Sequence, residues 1–369
     1  MLRKLLFSFA ALILVLVIGL VLFSGGEGKL TQLDVSADSG SPASFMPTRE
    51  VDGIIYESRN SGSLTTVLLI GYDHKDNGAL VDGQEGFNKG GQSDFLMLLA
   101  IDHEKEQIRQ LQFDRDTITD VKFYSKFGAN YGTRRLQICL SHAYGDTQEL
   151  NNSNAIWAVE RFLGIEKEDD GAQVDMYLAM DITGIGRLND LLGGVTVPIN
   201  DDFSHYDPTM KLGTTMKLTG EQAHIYCRQR YFIGDQSNKN RMARQRVYMD
   251  AATELLRDKL GKNPNFATEL LDGMGIIYDT TRALDDDFGF TISDHRGTPI
   301  TDTPTHYLMT NHSLDAIVSL LARVLHYDIQ PVENIPGQHQ VGTSGYIEFI
   351  PEEGAGVKWA LDALYRPLN

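Results

Sequence analysis

The chain has 369 residues, 42% of them hydrophobic and 22% charged, with a formal net charge of −17. This is ordinary globular composition, enough for one large domain or two modest ones. The negative balance argues against a nucleic-acid partner and against a broadly basic face for lipid headgroups, and it makes any local cluster of arginines stand out.

An apolar run from Leu5 to Phe23 opens the chain. As a helix it would span about 28 Å at roughly 1.5 Å per residue, close to the ~30 Å hydrocarbon core of a bilayer. Arg3 and Lys4 flank its N-terminal end, and the other end runs into Ser24-Gly25-Gly26-Glu27. That asymmetry predicts a single-pass transmembrane helix with a cytoplasmic N-terminus (1–24) and an extracytoplasmic remainder. The alternative is a cleaved signal peptide, whose apolar region is usually about 7–15 residues and ends at a small-x-small site. The run here is longer, and Ser-Gly-Gly is a poor cleavage site. Residues 25–62, rich in Gly, Ser, Asp and Pro, read as a flexible stalk. Residues 63–369 read as the folded domain, with 261–369 completing it because no linker precedes them.

Within that domain Thr65–Ile70, Phe95–Ile101 and Ile108–Phe113 are short apolar runs that predict buried strands. A glycine-rich loop, Gly78–Gly91, separates the first two. Asn152 or Ser153 can cap a helix over Ala155–Leu163, with Gly164 at C′. Val174–Asp181 alternates like a strand. Thr183–Leu192 reads as a helix stopped by Gly193-Gly194, Val195–Ile199 as a strand, and Asn238 to about Leu260 as a long helix. Thr310-Asn311 can cap a further helix over roughly Ser313–Leu325. Strands alternate with helices, which predicts an α/β fold: an α-β-α sandwich with a central mixed β-sheet. The two cysteines, Cys139 and Cys227, have no metal-motif spacing and read as separate buried thiols rather than a disulfide.

Charge gathers at the ends of the first three strands. Asp73 follows the first, Asp94 precedes the second, and Arg115 and Asp116 follow the third. Ligands collect at strand ends in open α/β sheets, and two carboxylates from separate loops can share a hard cation such as Mg²⁺. A second group is cationic: Arg228 and Arg230, then Arg241, Arg244 and Arg246 at a helix start. Arg241, Arg244, Gln245 and Tyr248 share one helix face, where free N–H groups and guanidinium forks suit phosphate oxygens. Each feature also has a plain reading. Aspartates are common in turns, and an arginine-rich face is usually solvated or paired in an acidic chain. Together they suggest a metal-assisted pyrophosphate site. The histidines form no metal or triad motif.

The motifs occur in a recognisable order: VLLIGYD, GGQSDFLMLLAID, LQFDRDT, LSHAYGD, AVERFLGI, VDMYLAMDITGIGRLNDLLGGVTVPI, LTGEQAHIYCRQR and NKNRMARQRVY. Over residues 64–260 the chain resembles the LytR-CpsA-Psr family of cell-wall glycopolymer ligases, and a weaker likeness continues through Thr310-Asn311 and Ile335-Pro336-Gly337. The resemblance implies an extracytoplasmic phosphotransferase at the cell membrane. Such an enzyme moves a glycopolymer, such as a teichoic acid or capsular polysaccharide, from a polyprenyl-pyrophosphate carrier onto a peptidoglycan sugar hydroxyl. It also implies an apolar tunnel for the lipid tail. By position, Asp73 and Asp94 match the family's Mg²⁺-associated aspartates, and Arg115 and Asp116 its RDT pair. Arg228 and Arg230 match its R-x-R. Asp235, Arg241, Arg244 and Gln245 match its D-x(n)-R-x-x-R-Q segment. Gln92 departs from a frequent arginine, with Lys75 or Lys89 as possible substitutes, and Gln137 stands where lysine is frequent. Asp73 or Asp94, whichever is free of metal, is expected to act as base, with Asp116 orienting an arginine. Two rival functions are a non-catalytic polyprenyl-phosphate-binding or regulatory envelope protein, for which Gln92 speaks, and a polyprenyl-pyrophosphate hydrolase.

Overall fold

In the computed structural model the described residues are 47–59, 62–73, 91–124, 130–144, 148–165, 172–263, 266–278, 293–294, 308–313, 316–317, 320, 323–324, 327–343 and 345–368. Leu5–Phe23, Lys75 and Lys89 lie outside them. Among the described residues no helix is long and apolar enough to cross a membrane.

The first elements are strands β1 (Thr48–Val51), β2 (Ile54–Ser58), β3 (Leu64–Tyr72), β4 (Ser93–Asp102), β5 (Gln107–Phe113), β6 (Ile118–Tyr124) and β7 (Asn130–Gln137). A 3₁₀ turn, Ile138–His142, leads to helix α1 (Gln148–Leu163), strand β8 (Met176–Asp181) and helix α2 (Gly184–Leu191). Strands β9 (Thr196–Pro198) and β10 (Thr215–Lys217) precede helices α3 (Gly220–Arg228), α4 (Asn238–Lys262) and α5 (Phe266–Met274). Then come β11 (Ile276–Tyr278), β12 (Ser293–Asp294), β13 (Leu308–Thr310), β14 (Asp328–Asn334), β15 (Gly337–Val341), β16 (Ile347–Pro351), α6 (Ala355–Leu364) and β17 (Tyr365–Leu368).

The central sheet has eight strands in the order β12-β11-β13-β8-β3-β4-β5-β14. It is mixed: β3 runs parallel to β8 and antiparallel to β4. The apolar runs of β3 and β4 sit at its centre and are buried on both faces, so they read as continuous rather than alternating hydrophobic stretches. Period-two geometry sorts their side chains. Val67, Leu69, Met97 and Leu99 join one core with Leu188 of α2, Ala223 of α3, Leu256 of α4 and Leu270 of α5. Leu68, Ile70, Leu96 and Leu98 join the other, with Val159 of α1 and Ala360 of α6. The result is the expected three-layer sandwich.

Several boundaries differ from the sequence reading. The stalk expected over 25–62 cannot extend through residues 48–58, because β1 and β2 pair with each other and β2 pairs with β17. Strands β11, β13 and β14, all beyond residue 261, are built into the central sheet. Helix α1 starts at Gln148, so Asn152 is not its cap but a buried residue whose Oδ1 lies 3.0 Å from His142 Nε2. Ser237 rather than Asn238 caps α4, accepting from the Asn240 amide at 3.0 Å. Of the helix expected over Ser313–Leu325, residues 316, 317, 320, 323 and 324 are helical. Ser313 caps it, accepting from Ala316 at 3.2 Å. Asn311 instead accepts from the Tyr177 amide at 2.9 Å, stitching the end of β13 to β8. Gly193 and Gly194 end α2 with φ of +80° and +98°, the left-handed region where a side chain would be strained. Cys139 and Cys227 are buried free thiols.

His103, just past β4, gives the fold an acid sensitivity. Its Nε2 lies 2.9 Å from Thr65 Oγ1 and its Nδ1 3.1 Å from Tyr327 Oη. Burial, reinforced by Arg323 and opposed by Asp102, pushes it down from 6.5 to about 4. The folded chain therefore leaves His103 neutral over a range in which the unfolded chain protonates it. Stability from this residue is complete above pH 6.5 and is lost as pH falls toward 4. Urea melts at pH 7 and pH 4.5 should show His103→Gln losing about 2 kcal/mol less than the wild type on acidification.

Candidate active site

The carboxyl-end edge of β3 and the start of β4 place Asp73 and Asp94 on adjacent strands, with the Asp73 amide donating to Gln92 O at 2.9 Å. Asp94 is the centre of the site. Arg115, from the β5–β6 connection, donates through Nη1 to Asp94 Oδ1. Arg241, one turn into α4, donates through Nη1 to Oδ2 at 3.0 Å. The Asp94 side chain is 9% exposed and that of Arg241 3%. Burial alone would raise the Asp94 carboxyl, but Arg241 and Arg115, aided by Arg230 and Arg228, outweigh it and hold it below the ordinary carboxylate range.

Asp73 has a different setting. Both its oxygens accept from Arg228 Nη2, at 2.9 and 2.8 Å, and the pair remains open to solvent. Arg228 ends α3, whose start is fixed by a capping box between Thr219 and Gln222. Arg230 follows in an irregular loop, half-buried, with its guanidinium 5.0 Å from the Tyr231 ring centre and its Nη2 donating to Tyr231 Oη at 3.1 Å. In the same loop Phe232 is exposed and sits at φ +58°, an uncommon conformation of the kind that clusters at functional sites.

Of the positions matched to the family, not all converge on Asp73 and Asp94. Gln92, where an arginine is frequent, turns its Oε1 toward Arg115 and accepts from Nη2. The change from donor to acceptor thus positions Arg115 rather than adding a cation. Asp116 also neighbours Arg115, 3.6 Å from its Nε, and accepts from Gln137 Nε2 at 2.9 Å. Asp235 is exposed and bonds the Ser237 amide at 2.9 Å, so it shapes the turn into α4.

Arg244 is the clearest correction. The face carrying Arg241, Arg244, Gln245 and Tyr248 is not solvated: these residues are 3%, 4%, 8% and 0% exposed. Arg244 Nε donates to Tyr226 O at 3.2 Å, Nη1 to Asp201 at 3.1 Å, and Nη2 to Gln229 O, with the guanidinium over the Phe203 ring. Three of its five N–H donors hold Asp201 and the chain that carries Arg228 and Arg230, and the side chain is buried, so it acts as a positioning residue. Arg244→Ala would take the arginine donor from two carbonyls and leave Asp201 only the Asn240 side-chain amide at 3.4 Å, at a cost of about 2–4 kcal/mol in urea unfolding. Gln245 donates to Cys227 O at 3.1 Å, while its Oε1 is buried without a hydrogen-bond partner. With Asp94 it borders an apolar cavity lined by Phe95, Met180, Ile185 and Met249, about 20 Å³ in volume. That is room for about one water. This one cavity, as lined by the described residues, therefore does not itself hold a lipid chain.

Mg²⁺ at the Asp73–Asp94 pair would have to displace arginine from the carboxylates, since both oxygens of Asp73 accept from Arg228 and those of Asp94 accept from Arg115 and Arg241. The ion is usually held by one or two carboxylates, with water and substrate phosphate completing its shell. Asp73 is partly open, and Asp94 stands one strand away.

Sequence reasoning missed four residues around this site. Asp114 was in view within FDRDT, as an extra acid beside the RDT pair. Asp201, Asn238 and His339 carried no local signal. Asn238 Oδ1 accepts from Arg241 Nη2 at 2.7 Å, and His339 Nε2 lies 3.0 Å from Asp114 Oδ2, from 225 residues away.

The LytR_cpsA_psr family profile matches residues 34–273. The chain belongs to the LytR-CpsA-Psr family. A teichoic acid transferase from Halalkalibacterium halodurans, named polyisoprenyl-teichoic acid–peptidoglycan teichoic acid transferase TagU, is 31% identical over 150 residues, 41% of this chain and 42% of the relative. The TagU of Bacillus cereus is 24% identical over 186 residues, half of each chain. The matched region thus spans half or less of these curated relatives. Among solved structures, the Streptococcus agalactiae protein gbs0355 superposes with a TM-score of 0.54 at 17% identity, covering 85% of this chain and 94% of its own. TagT bound to LI-WTA gives a TM-score of 0.50 at 18% identity, covering 86% and 96%. These likenesses establish the family's mixed-sheet fold in this chain.

Proposed function

We propose that this family member is a phosphotransferase that moves a glycopolymer from a polyprenyl-pyrophosphate carrier onto a peptidoglycan hydroxyl. It works at the outer face of the membrane, anchored through Leu5–Phe23. The observation that carries the reading is the buried Asp94 held between Arg115 and Arg241, beside the open Arg228–Asp73 pair. Fixed guanidiniums converging on one end of the sheet suit a pyrophosphate diester, whose negative charge grows on the leaving phosphate. The names of the two curated relatives support a teichoic acid as cargo.

In this reading Arg228 and Arg230, on the open side of the site, bind the pyrophosphate. Arg115 and Arg241 supply fixed positive potential from the buried side. Gln92 and Asp94 orient Arg115, and Arg244 with Asp201 fixes the loop bearing Arg228 and Arg230. Asp73 and Asp94 would hold Mg²⁺, which when bound lowers the charge of the pyrophosphate and favours departure of the phosphate leaving group.

The test uses the full chain in detergent with a short polyprenyl-pyrophosphate oligosaccharide, a peptidoglycan-fragment acceptor and Mg²⁺. Mass spectrometry should find a phosphodiester-linked product that vanishes with EDTA. Sugar phosphate released without joined product would favour the hydrolase instead. Tight binding of intact lipid with no turnover would favour the binding protein, to which Gln92 lends its support.

A further inference from the structure

We propose that His339 is the general base that takes the proton of the acceptor hydroxyl, with Asp114 as its positioning residue. The inference rests on the transferase reading above. His339 lies on β15, opposite Phe349 of β16 in the hairpin register. The hairpin is tied to the Arg115–Thr117 segment at Phe349. The Phe349 amide donates to Asp116 O at 2.8 Å, and Thr117 forms an isolated bridge with Phe349. The His339 and Phe349 rings meet edge to face with centres 5.0 Å apart, which fixes the imidazole plane.

The hydrogen-bond chain sets the role. Asp114 Oδ1 accepts from the Asp116 amide at 2.9 Å and from Asn238 Nδ2 at 3.3 Å. Its free Oδ2 is 3.0 Å from His339 Nε2. With Nε2–H donating to that carboxylate, Nδ1 carries the lone pair, and Asp114 stands ready to stabilise an imidazolium. The imidazole is about half exposed, as a base that must meet an incoming sugar requires. One ligand atom each of His339, Asp114 and Asp116 lie within 4.8 Å of one another. Asp116 leads through Arg115 to Asp94. His339 therefore stands at the rim of the arginine cluster. The charged groups facing it are Asp114 and Asp116, with Arg115 behind them, while Phe349 covers it from β16.

The carboxylates are poorer bases. Asp94 is clamped by two guanidiniums and Asp73 is bonded by Arg228. Asp116 is buried and already accepts from Gln137. In the step, the acceptor oxygen forms a bond to the phosphorus bearing the glycopolymer while its proton passes to His339 Nδ1. The bridging P–O bond breaks, and its electron pair leaves with the polyprenyl phosphate.

The experiment compares full-length wild type, His339→Gln, His339→Ala and Asp114→Asn in the transfer assay above. His339→Gln should lower kcat about 10²–10³-fold, with the donor KM within about threefold and the melting temperature unchanged. Free imidazole should partly restore His339→Ala, and Asp114→Asn should fall between wild type and His339→Gln. Transfer by His339→Gln within about threefold of wild type would overturn the inference while leaving the transferase reading intact. So would a raised donor KM at unchanged kcat, or a loss of Mg²⁺ affinity in the same variant, which would assign the cluster to binding or to metal. Wild type that joins no donor to any acceptor would overturn both.

Discussion

Asp94→Ala is expected to lower unfolding free energy by about 3–5 kcal/mol, and to abolish transfer, because it leaves the buried guanidiniums of Arg115 and Arg241 without their shared counter-ion. The Arg241 side chain is 3% exposed and that of Arg115 13%, so water can replace little of what the carboxylate provided. Arg241 keeps Asn238 Oδ1 at 2.7 Å, and Arg115 keeps Gln92 and Asp116, so the cluster is loosened rather than emptied. Asp94→Asn tests the same point with volume held constant. It retains an acceptor for one arginine, loses the charge, and should fall between Ala and wild type in a urea melt. If Asp94→Ala melts within 1 kcal/mol of wild type, an amount typical of exposed pairs, the buried ion triad is not what holds this end of the sheet.

Arg228→Ala should separate catalysis from stability. Its side chain is 37% exposed and that of its partner Asp73 is 22% exposed. A pair so open to solvent contributes about 0–1 kcal/mol to folding. Its place at the open side of the site suits it to bind the transferring phosphate, where losing one fixed donor lowers kcat about 10²–10³-fold. The expected result is thus a protein with a near-normal melt and almost no turnover. Arg228→Lys keeps the charge but not the planar fork, and should recover part of the rate. A variant that loses stability and rate together would instead assign Arg228 a structural part like that of Arg244. The contrast with Arg244→Ala, expected to be destabilising first, can be read in the same pair of assays.

Much of this architecture is legible along the chain. The runs at Thr65–Ile70 and Phe95–Ile101 predict strands buried on both faces, and they are the two central neighbours β3 and β4. Gly193-Gly194 ends a helix where left-handed backbone is needed. Cap positions are less legible, because a cap is chosen among several competent residues by the path of the backbone. Asn152, Asn238 and Asn311 all had the chemistry of a cap, and each was drawn instead into tertiary hydrogen bonds, Asn238 with Asp114.

By itself the sequence determined the layer architecture, the family and the charged residues available at the strand ends. Those follow from periodicity, burial of apolar runs and ordered local motifs, which are properties of neighbouring residues. Only the tertiary structure decided how those charges are shared. Asp94 meets Arg241 across 147 positions and Asp73 meets Arg228 across 155. Arg244, matched by motif to a phosphate ligand, is claimed by Asp201 and two carbonyls, and Gln92 becomes an acceptor for Arg115. Each guanidinium is a planar fork with few directions in which to donate. Which acceptor it takes depends on distances set by the packing of α3 and α4 against the sheet, and spacing along the chain does not encode those distances.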